Sequence, residues 1–265
     1  MDLRLNDKTA FISGSTAGIG WAAARRLADE GATVIVNGRT QKRVDDAIRR
    51  IEADVDGADV HGVAADLGTP DGVAAVTEAW PGVDILVNNV GIFEPAPFEE
   101  ITDESWERHW RINVMSGVRL TRHYLPGMKN RGWGRVIFVS SESGVQIPDE
   151  MIQYGVTKTA QIGLARGIAE TTKNAGDVTV NTVLPGPTAS EGVSEFVETR
   201  AEQEGLTTEE VEDLFFREER PTSLLQRFED PDEIAVLIAY LSSELASATN
   251  GAAVRVDGGV VRSAF

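Results

Sequence analysis

Three side chains within one stretch have the types and spacing for proton chemistry: Ser141, Tyr154 and Lys158. Tyr154 and Lys158 stand four apart, so on a helix they share a face, one turn from each other. That sets a weak acid beside a cation. A free phenol titrates near ~10, and bringing it to ~7 takes about 4 kcal/mol at ~1.36 kcal/mol per unit. A unit charge ~4 Å away, at an effective dielectric of ~20, supplies roughly that amount. The spacing therefore predicts that Lys158 brings Tyr154 into the working range of a general acid or base at neutral pH. Ser141, if it lies across from Tyr154, offers a second hydrogen bond to a reacting oxygen. A surface Tyr and a surface Lys on one helix have the same spacing, so the surrounding elements must decide.

Arg135-Val136-Ile137-Phe138-Val139 precedes the stretch and reads as a buried strand. Ser141 then lies at a strand's carboxyl end, where open α/β sheets place their ligands. The chain opens in the same rhythm. A short apolar strand over residues 8–13 runs into Gly14-Ser15-Thr16-Ala17-Gly18-Ile19-Gly20, and an alanine-rich helix follows over 18–30, closed by Gly31. Strand, glycine turn and helix make a phosphate cradle: the glycines let the backbone approach closely, and the helix N-terminus offers N–H groups to an anion. The spacing Gly-x-x-x-Gly-x-Gly differs from the commoner Gly-x-Gly-x-x-Gly.

Further strands are expected over 33–37, 60–66, 83–89, 178–184 and 252–256, and helices over 41–53, 103–128 and 231–241. Thr69-Pro70 caps a short helix, and Asp230-Pro231-Asp232-Glu233 reads as a capping box. Repeated βα units predict a three-layer, doubly wound Rossmann fold with a central parallel sheet of about seven strands. The 265 residues suit a single domain, 1–265. Residues 191–220 break the rhythm with eleven acidic and three basic side chains. Because this run leaves a strand's carboxyl end, 187–225 is expected to be a substrate lid.

Composition narrows the function classes. A net charge of −17 argues against a nucleic-acid or anionic-membrane surface. With no cysteine there is no disulfide, thiolate metal site or cysteine nucleophile. His61, His109 and His123 are too scattered for a helical ligand pair, so no metal is expected. No apolar run approaches the ~20 residues of a membrane span, and no signal-peptide pattern opens the chain, so a cytoplasmic location is expected.

Together these residues resemble the short-chain dehydrogenase/reductase family in its compact single-domain form, and the resemblance covers nearly the whole chain. The family's glycine turn appears as Ser13 to Gly20, its Asn-Asn-Ala-Gly as Asn88-Asn89-Val90-Gly91, and its helical asparagine as Asn113. Ser141 stands thirteen residues before Tyr154, and Lys158 completes the tetrad. Pro185-Gly186 and Asp257-Gly258-Gly259 match two later signatures, with Ser190 in place of a usual threonine. The resemblance implies hydride transfer between a nicotinamide and a secondary alcohol or ketone. Tyr154 would exchange the proton, Ser141 hold the reacting oxygen, and Lys158 hold the ribose. Asn113 would anchor, through its backbone carbonyl, a proton-supplying water. It also implies cofactor contacts from Gly14, Ser15, Gly18, Ile19, Gly20, Asp66, Leu67, Asn89, Val90, Gly91, Pro185, Gly186, Thr188 and Ser190, and a homotetramer built on the 103–128 and Tyr/Lys helices. The C-terminal Val260, Val261 and Phe265 are compatible with a further subunit contact.

Cofactor choice rests on Asn37-Gly38-Arg39-Thr40. The acid expected of an NAD-preferring relative is missing near Gly38, and Arg39 suits a 2′-phosphate by charge and fork geometry. NADP(H) is therefore expected, with NAD(H) open: Arg39 also reads as a surface cation stacking on adenine, and Ala17 fills a position where many NADP users carry a second base. The pocket is expected to be walled by Phe93, residues 144–151 and the lid, with Gln146 as an added polar contact. An NAD-dependent alcohol, sugar or steroid-type dehydrogenase, a 3-oxoacyl thioester reductase and a non-catalytic nicotinamide-sensing regulator stay as alternatives. The last should have lost a tetrad member, and none is lost.

Overall fold

Alternate residues of the strands face opposite sides of one sheet, and both sides are apolar. Ile12, Val34, Val36, Val87 and Ile137 pack on one face, while Phe11, Ile35, Leu86, Val136 and Phe138 pack on the other. A strand buried on both faces must be covered by helices on both, which is how the chain is arranged in this computed structural model. The structure describes residues 2–264, and of Glu195 the backbone only.

The seven strands are β1 (Thr9–Ile12), β2 (Thr33–Gly38), β3 (Val60–Ala64), β4 (Ile85–Asn88), β5 (Trp133–Val139), β6 (Asp177–Pro185) and β7 (Ala253–Val256). They pair in parallel in the order β3-β2-β1-β4-β5-β6-β7. The order reverses between β1 and β4. The crevice outside their carboxyl ends is the topological switch point, where such sheets take ligands.

Helices α1 (Gly18–Asp29), α2 (Gln41–Asp54) and α9 (Pro231–Ser242) supply Ala23, Leu27, Val44, Ile51 and Ile238 to the first face. On the second lie α3 (Pro70–Ala79), α5 (Ser116–Arg131) and α6 (Ile152–Glu170), with Val76, Leu120, Met128 and Ala165. Burying each such aliphatic side chain contributes about 1.5–3 kcal/mol. The Thr69 cap and the Asp230–Glu233 capping box form as expected.

The helix expected over 103–128 is not uniform. It consists of α4 (Asp103–His109), a π-helical turn (Trp110–Met115) and α5, which runs on to Arg131 before Gly132 closes it at φ 74°. The widened turn contains Asn113, and π turns leave backbone carbonyls without their ordinary i+4 partners. Residues 187–225 contain α7 (Glu191–Glu204) and α8 (Thr208–Glu218), whose apolar residues Val197, Ala201 and Val211 form a cluster separate from the main core. Val260 and Val261 are buried within the subunit, so they are not available for the subunit contact considered for them, and Phe265 lies outside the described residues.

Candidate active site

The glycine turn after β1 is fixed from beneath. Ser13 Oγ donates to Val87 O and accepts from the N–H groups of Asn89 and Val90 at 2.8 and 3.1 Å. Serine thus does here what a threonine hydroxyl would do. Asn89 Nδ2 donates to the carbonyls of Ser13 and Gly14, tying the end of β4 to the turn. Gly14 and Gly18 hold φ of +63° and +54°, and a Cβ on Gly20 would lie 2.5 Å from Gly14 O. Helix α1 then begins at Gly18 with no side-chain cap and no acid in its first turn. A helix N-terminus left open behind a glycine turn fits a pyrophosphate.

Ser15 corrects one expectation. Its hydroxyl donates to Ile12 O and accepts from Asn37 N, its own N–H donates to Asn37 O, and it is fully buried. It braces the turn, and the single hydrogen of its hydroxyl is already committed. Leu67 is a core side chain, and Asp66 is exposed with one oxygen accepting from Gly68 N. Thr188 is turned inward to Gly186 O at 2.9 Å, while Ser190 stands opposite Gly18.

At the other end of the turn, Gly38 is buried and Arg39 exposed. A Cβ on Gly38 would come within 2.5 Å of Thr16 Cγ2. An acidic side chain therefore has no room at 38 unless Thr16 moves.

The tetrad residues converge. Ser141 follows β5, and Tyr154 and Lys158 lie one turn apart on α6, with Lys158 Nζ 5.4 Å from the Tyr154 ring centre. Ser141 and Tyr154 line the same cavity, and Phe93 meets the Tyr154 ring edge-on at 6.1 Å. Asn113 is clamped: its side chain accepts from Ile92 N and donates to Ile92 O and Thr157 Oγ1. Its backbone carbonyl accepts from Gln161 Nε2 at 2.6 Å, so one of the two lone pairs expected to anchor a water is already taken.

Electrostatics depart from the expected pairing. Burial, then the Glu142 charge, pushes Tyr154 above the ordinary phenol range, while Arg220 pulls it down. Lys158 donates to Val139 O at 2.9 Å and is itself lowered to about 8 by burial, against the Glu142 charge. The lysine is not what sets the phenol here. Desolvation and a neighbouring carboxylate outweigh it.

Ser141 and Tyr154 line a cavity of about 760 Å³, bounded by Phe93, Met151, Gly186 and α7–α8. Gln146 is exposed and does not line it, and Val145 and Ile147 are exposed as well, so the wall expected from 144–151 reduces to Asp149, Glu150 and Met151. The reading of the sequence passed over two residues that do line it. Glu142 is buried beside Ser141, and Arg220, at the end of α8, is buried against it. The available signal was an arginine closing a segment with eleven acids, and an acid directly after the strand-end serine.

Glu229 was passed over as well. It is buried beneath the Pro185-Gly186 turn, accepts from Gly186 N at 3.1 Å, and is pushed up to about 7 by burial, with Asp257 adding to the push. The native state thus keeps a proton that the unfolded chain releases between about 4.5 and 7. Its contribution to stability is complete at low pH and lost as pH rises through 7. Glu229→Gln keeps an acceptor for Gly186 without the titration. Above pH 7 it should be more stable than the native chain by up to about 3 kcal/mol. Thermal melts from about pH 5 to 8 check this, and parallel curves for the two proteins would refute it.

The comparisons agree with this geometry. The family model described as short chain dehydrogenase matches residues 8–201. The chain is 48% identical to "Uncharacterized oxidoreductase YvaG" of Bacillus subtilis, over all of both chains. It is 36% identical to D-beta-hydroxybutyrate dehydrogenase of Cupriavidus necator, covering 97% of this chain and 99% of that one. Among solved structures, L-sorbose reductase from Gluconobacter frateurii, complexed with NADPH and L-sorbose, superposes with a TM-score of 0.93. That match is at 32% identity, over 99% of this chain and 100% of the other. With its parallel Rossmann sheet, its glycine turn and its converging Ser, Tyr and Lys, the chain belongs to the short-chain dehydrogenase family, oxidoreductases that act on CH–OH groups with NAD(P).

Proposed function

We propose that this protein is an NADP(H)-preferring oxidoreductase that interconverts a secondary alcohol and a ketone, with Tyr154 as general acid and base. The observation that supports the proposal is that Ser141 and Tyr154 line one cavity together with Ile19 of the glycine turn and the Pro185-Gly186 turn. Bound nicotinamide would supply the hydride. The cradle from Gly14 to Gly20, Asn89 to Gly91 and the Pro185-Gly186 turn would hold it. A Cβ on Gly91 would sit 3.4 Å from Lys158 Nζ, so glycine there keeps the lysine accessible to a ribose. In reduction, Ser141 and Tyr154 hydrogen-bond the carbonyl oxygen and Tyr154 gives it a proton. In oxidation Tyr154 takes that proton back.

Residues 187–225 would act as the lid. Six acids and two arginines line the cavity, and both arginines are already paired. Arg200 binds Glu204 and Glu219, and Arg220 binds Glu142 and Glu150. Among the described residues, no lining cation is left for a substrate carboxylate. This favours an uncharged carbonyl compound, of the kind named for the L-sorbose reductase, over a hydroxy acid such as the Cupriavidus relative's name indicates. The exposed Phe98 and Trp110 beside α4 support a contact between copies, in line with a tetramer.

The test is NADPH consumption with matched ketones, neutral and carboxylate-bearing, including ketoses and 3-oxo acids. Neutral substrates should show kcat/KM at least about tenfold higher, the cost of one unpaired charge in a partly buried site. Preference for the 3-oxo acid would refute the substrate reading. NADPH binding with no turnover across the panel would favour a sensing role.

A further inference from the structure

We infer that Glu142 and Arg220 form a clasp through which the seating of residues 187–225 sets the hydrogen-bond direction of Ser141. Both are positioning residues. The inference rests on the proposed role of Ser141 as donor to the reacting oxygen.

The geometry starts at Glu142. One carboxylate oxygen accepts from the Ser141 hydroxyl and from the N–H and hydroxyl of Ser143, the last at 2.7 Å. Its other oxygen faces Arg220 Nε at 3.3 Å. Arg220 also reaches Glu150 at 3.0 Å, donates to Glu219 O at 2.9 Å, and lies over the Phe215 ring. The Arg220 and Glu142 side chains are only 8% and 5% exposed, so this pair is buried, unlike most ion pairs on the chain. Breaking a buried pair by removing one partner leaves an uncompensated charge.

The segment that carries Arg220 packs largely on itself. Val197, Ala201 and Val211 cluster with Phe228, and Phe215, Phe216 and Phe228 stack with ring centres 5.1 Å apart. The clasp is a polar, buried link from this small core to the turn that holds Ser141. A second link, Arg43 with Glu191, is exposed and joins the segment to α2 instead.

The consequence follows from counting hydrogens. A serine hydroxyl has one to donate. While Glu142 holds it, Ser141 presents only lone pairs toward Tyr154 and any carbonyl oxygen. Arg220 draws on the same carboxylate and weakens its hold, so the hydrogen can turn to the substrate. Without Arg220 the unpaired carboxylate grips the Ser141 hydrogen harder and pulls its turn toward water. Seating of the lid and readiness of the serine are thereby one event.

Three variants test this: Arg220→Met, Glu142→Gln and the double. Arg220→Met should lower kcat about tenfold, within the range for coupled buried neighbours, and leave KM for NADPH unchanged. The double variant should recover most of that loss, because the charge that traps the hydrogen is gone. A double variant as slow as Arg220→Met would overturn the inference, leaving the arginine as a tether only. So would an Arg220→Met enzyme as fast as the native one.

Hydrogen exchange supplies a readout independent of turnover. Arg220→Met should speed exchange in α8 and at the amides of residues 143–146, which are bonded to Ser141 and Glu142. The double variant should restore protection to 143–146 while α8 stays fast. If the native protein shows no Tyr154-dependent turnover yet exchange follows this pattern, the clasp stands and the role given to Ser141 falls. If turnover depends on Tyr154 but Arg220→Met leaves 143–146 unmoved, the clasp falls and the enzyme reading stands.

Discussion

Tyr154→Phe is expected to lower kcat by about 10³-fold while NADPH still binds. The substitution removes one oxygen from a ring whose edge contact with Phe93 and place on α6 are otherwise kept. Ser141 remains to polarise a carbonyl, but a serine hydroxyl is too weak an acid to replace a positioned phenol. The pH dependence separates the roles further. Tyr154 is raised above the ordinary phenol range, so in reduction it stays protonated through neutral and mildly basic pH. Lys158, lowered to about 8, loses its charge first. Reduction by the native enzyme should therefore decline as pH rises through about 8, and that limb belongs to Lys158. Steady-state rates across pH, with nicotinamide fluorescence for binding, check both statements. A Phe variant within tenfold of the native rate would mean that the proton comes from elsewhere.

Arg39→Ala is expected to weaken NADPH binding by about 10–100-fold and leave NADH binding unchanged. A hydrogen bond to a charged group contributes roughly 1.5–3 kcal/mol, and each ~1.4 kcal/mol is tenfold in Kd. Arg39 is exposed at the end of β2, next to a Gly38 whose missing Cβ is required by Thr16. The two positions work together: one carries no carboxylate for ribose hydroxyls, and the other offers a fork for a phosphate. Equal losses for both cofactors would instead mean that Arg39 stacks on adenine. Gly38→Asp is the converse variant, and the clash with Thr16 limits what it can gain for NADH.

Much of the fold was legible because its signals are local. Alternating βα units, the Thr69 and Asp230 caps and Gly31 after α1 each act within a few residues, and each forms as expected. The convergence of Ser141, Tyr154 and Lys158 was legible from spacing together with strand and helix assignment. What failed depended on tertiary surroundings. Spacing gives the separation of Tyr154 and Lys158 but not their desolvation, and burial reverses the expected direction for the phenol. Gln146 looked suitable by type and place, yet the 3₁₀ turn Glu142–Gly144 precedes an exposed run that carries it away from the cavity. Ser15 sat at a cofactor position, but its hydrogen bonds to Ile12 and Asn37 show only in three dimensions. Arg220 and Glu142 are 78 residues apart, beyond the reach of any periodicity. The π turn around Asn113 escaped because the pattern over 103–128 is that of an ordinary helix.

The first experiment is parallel fluorescence titration of the native protein with NADPH and NADH. Tight NADPH binding, with NADH at least about tenfold weaker, is the expected result. It would join the glycine cradle and Arg39 to one cofactor and direct the substrate screen to NADPH. Equal affinity, or tighter NADH, would contradict the role given to Arg39. Failure of both to bind would contradict hydride transfer itself, however well Ser141, Tyr154 and Lys158 are placed.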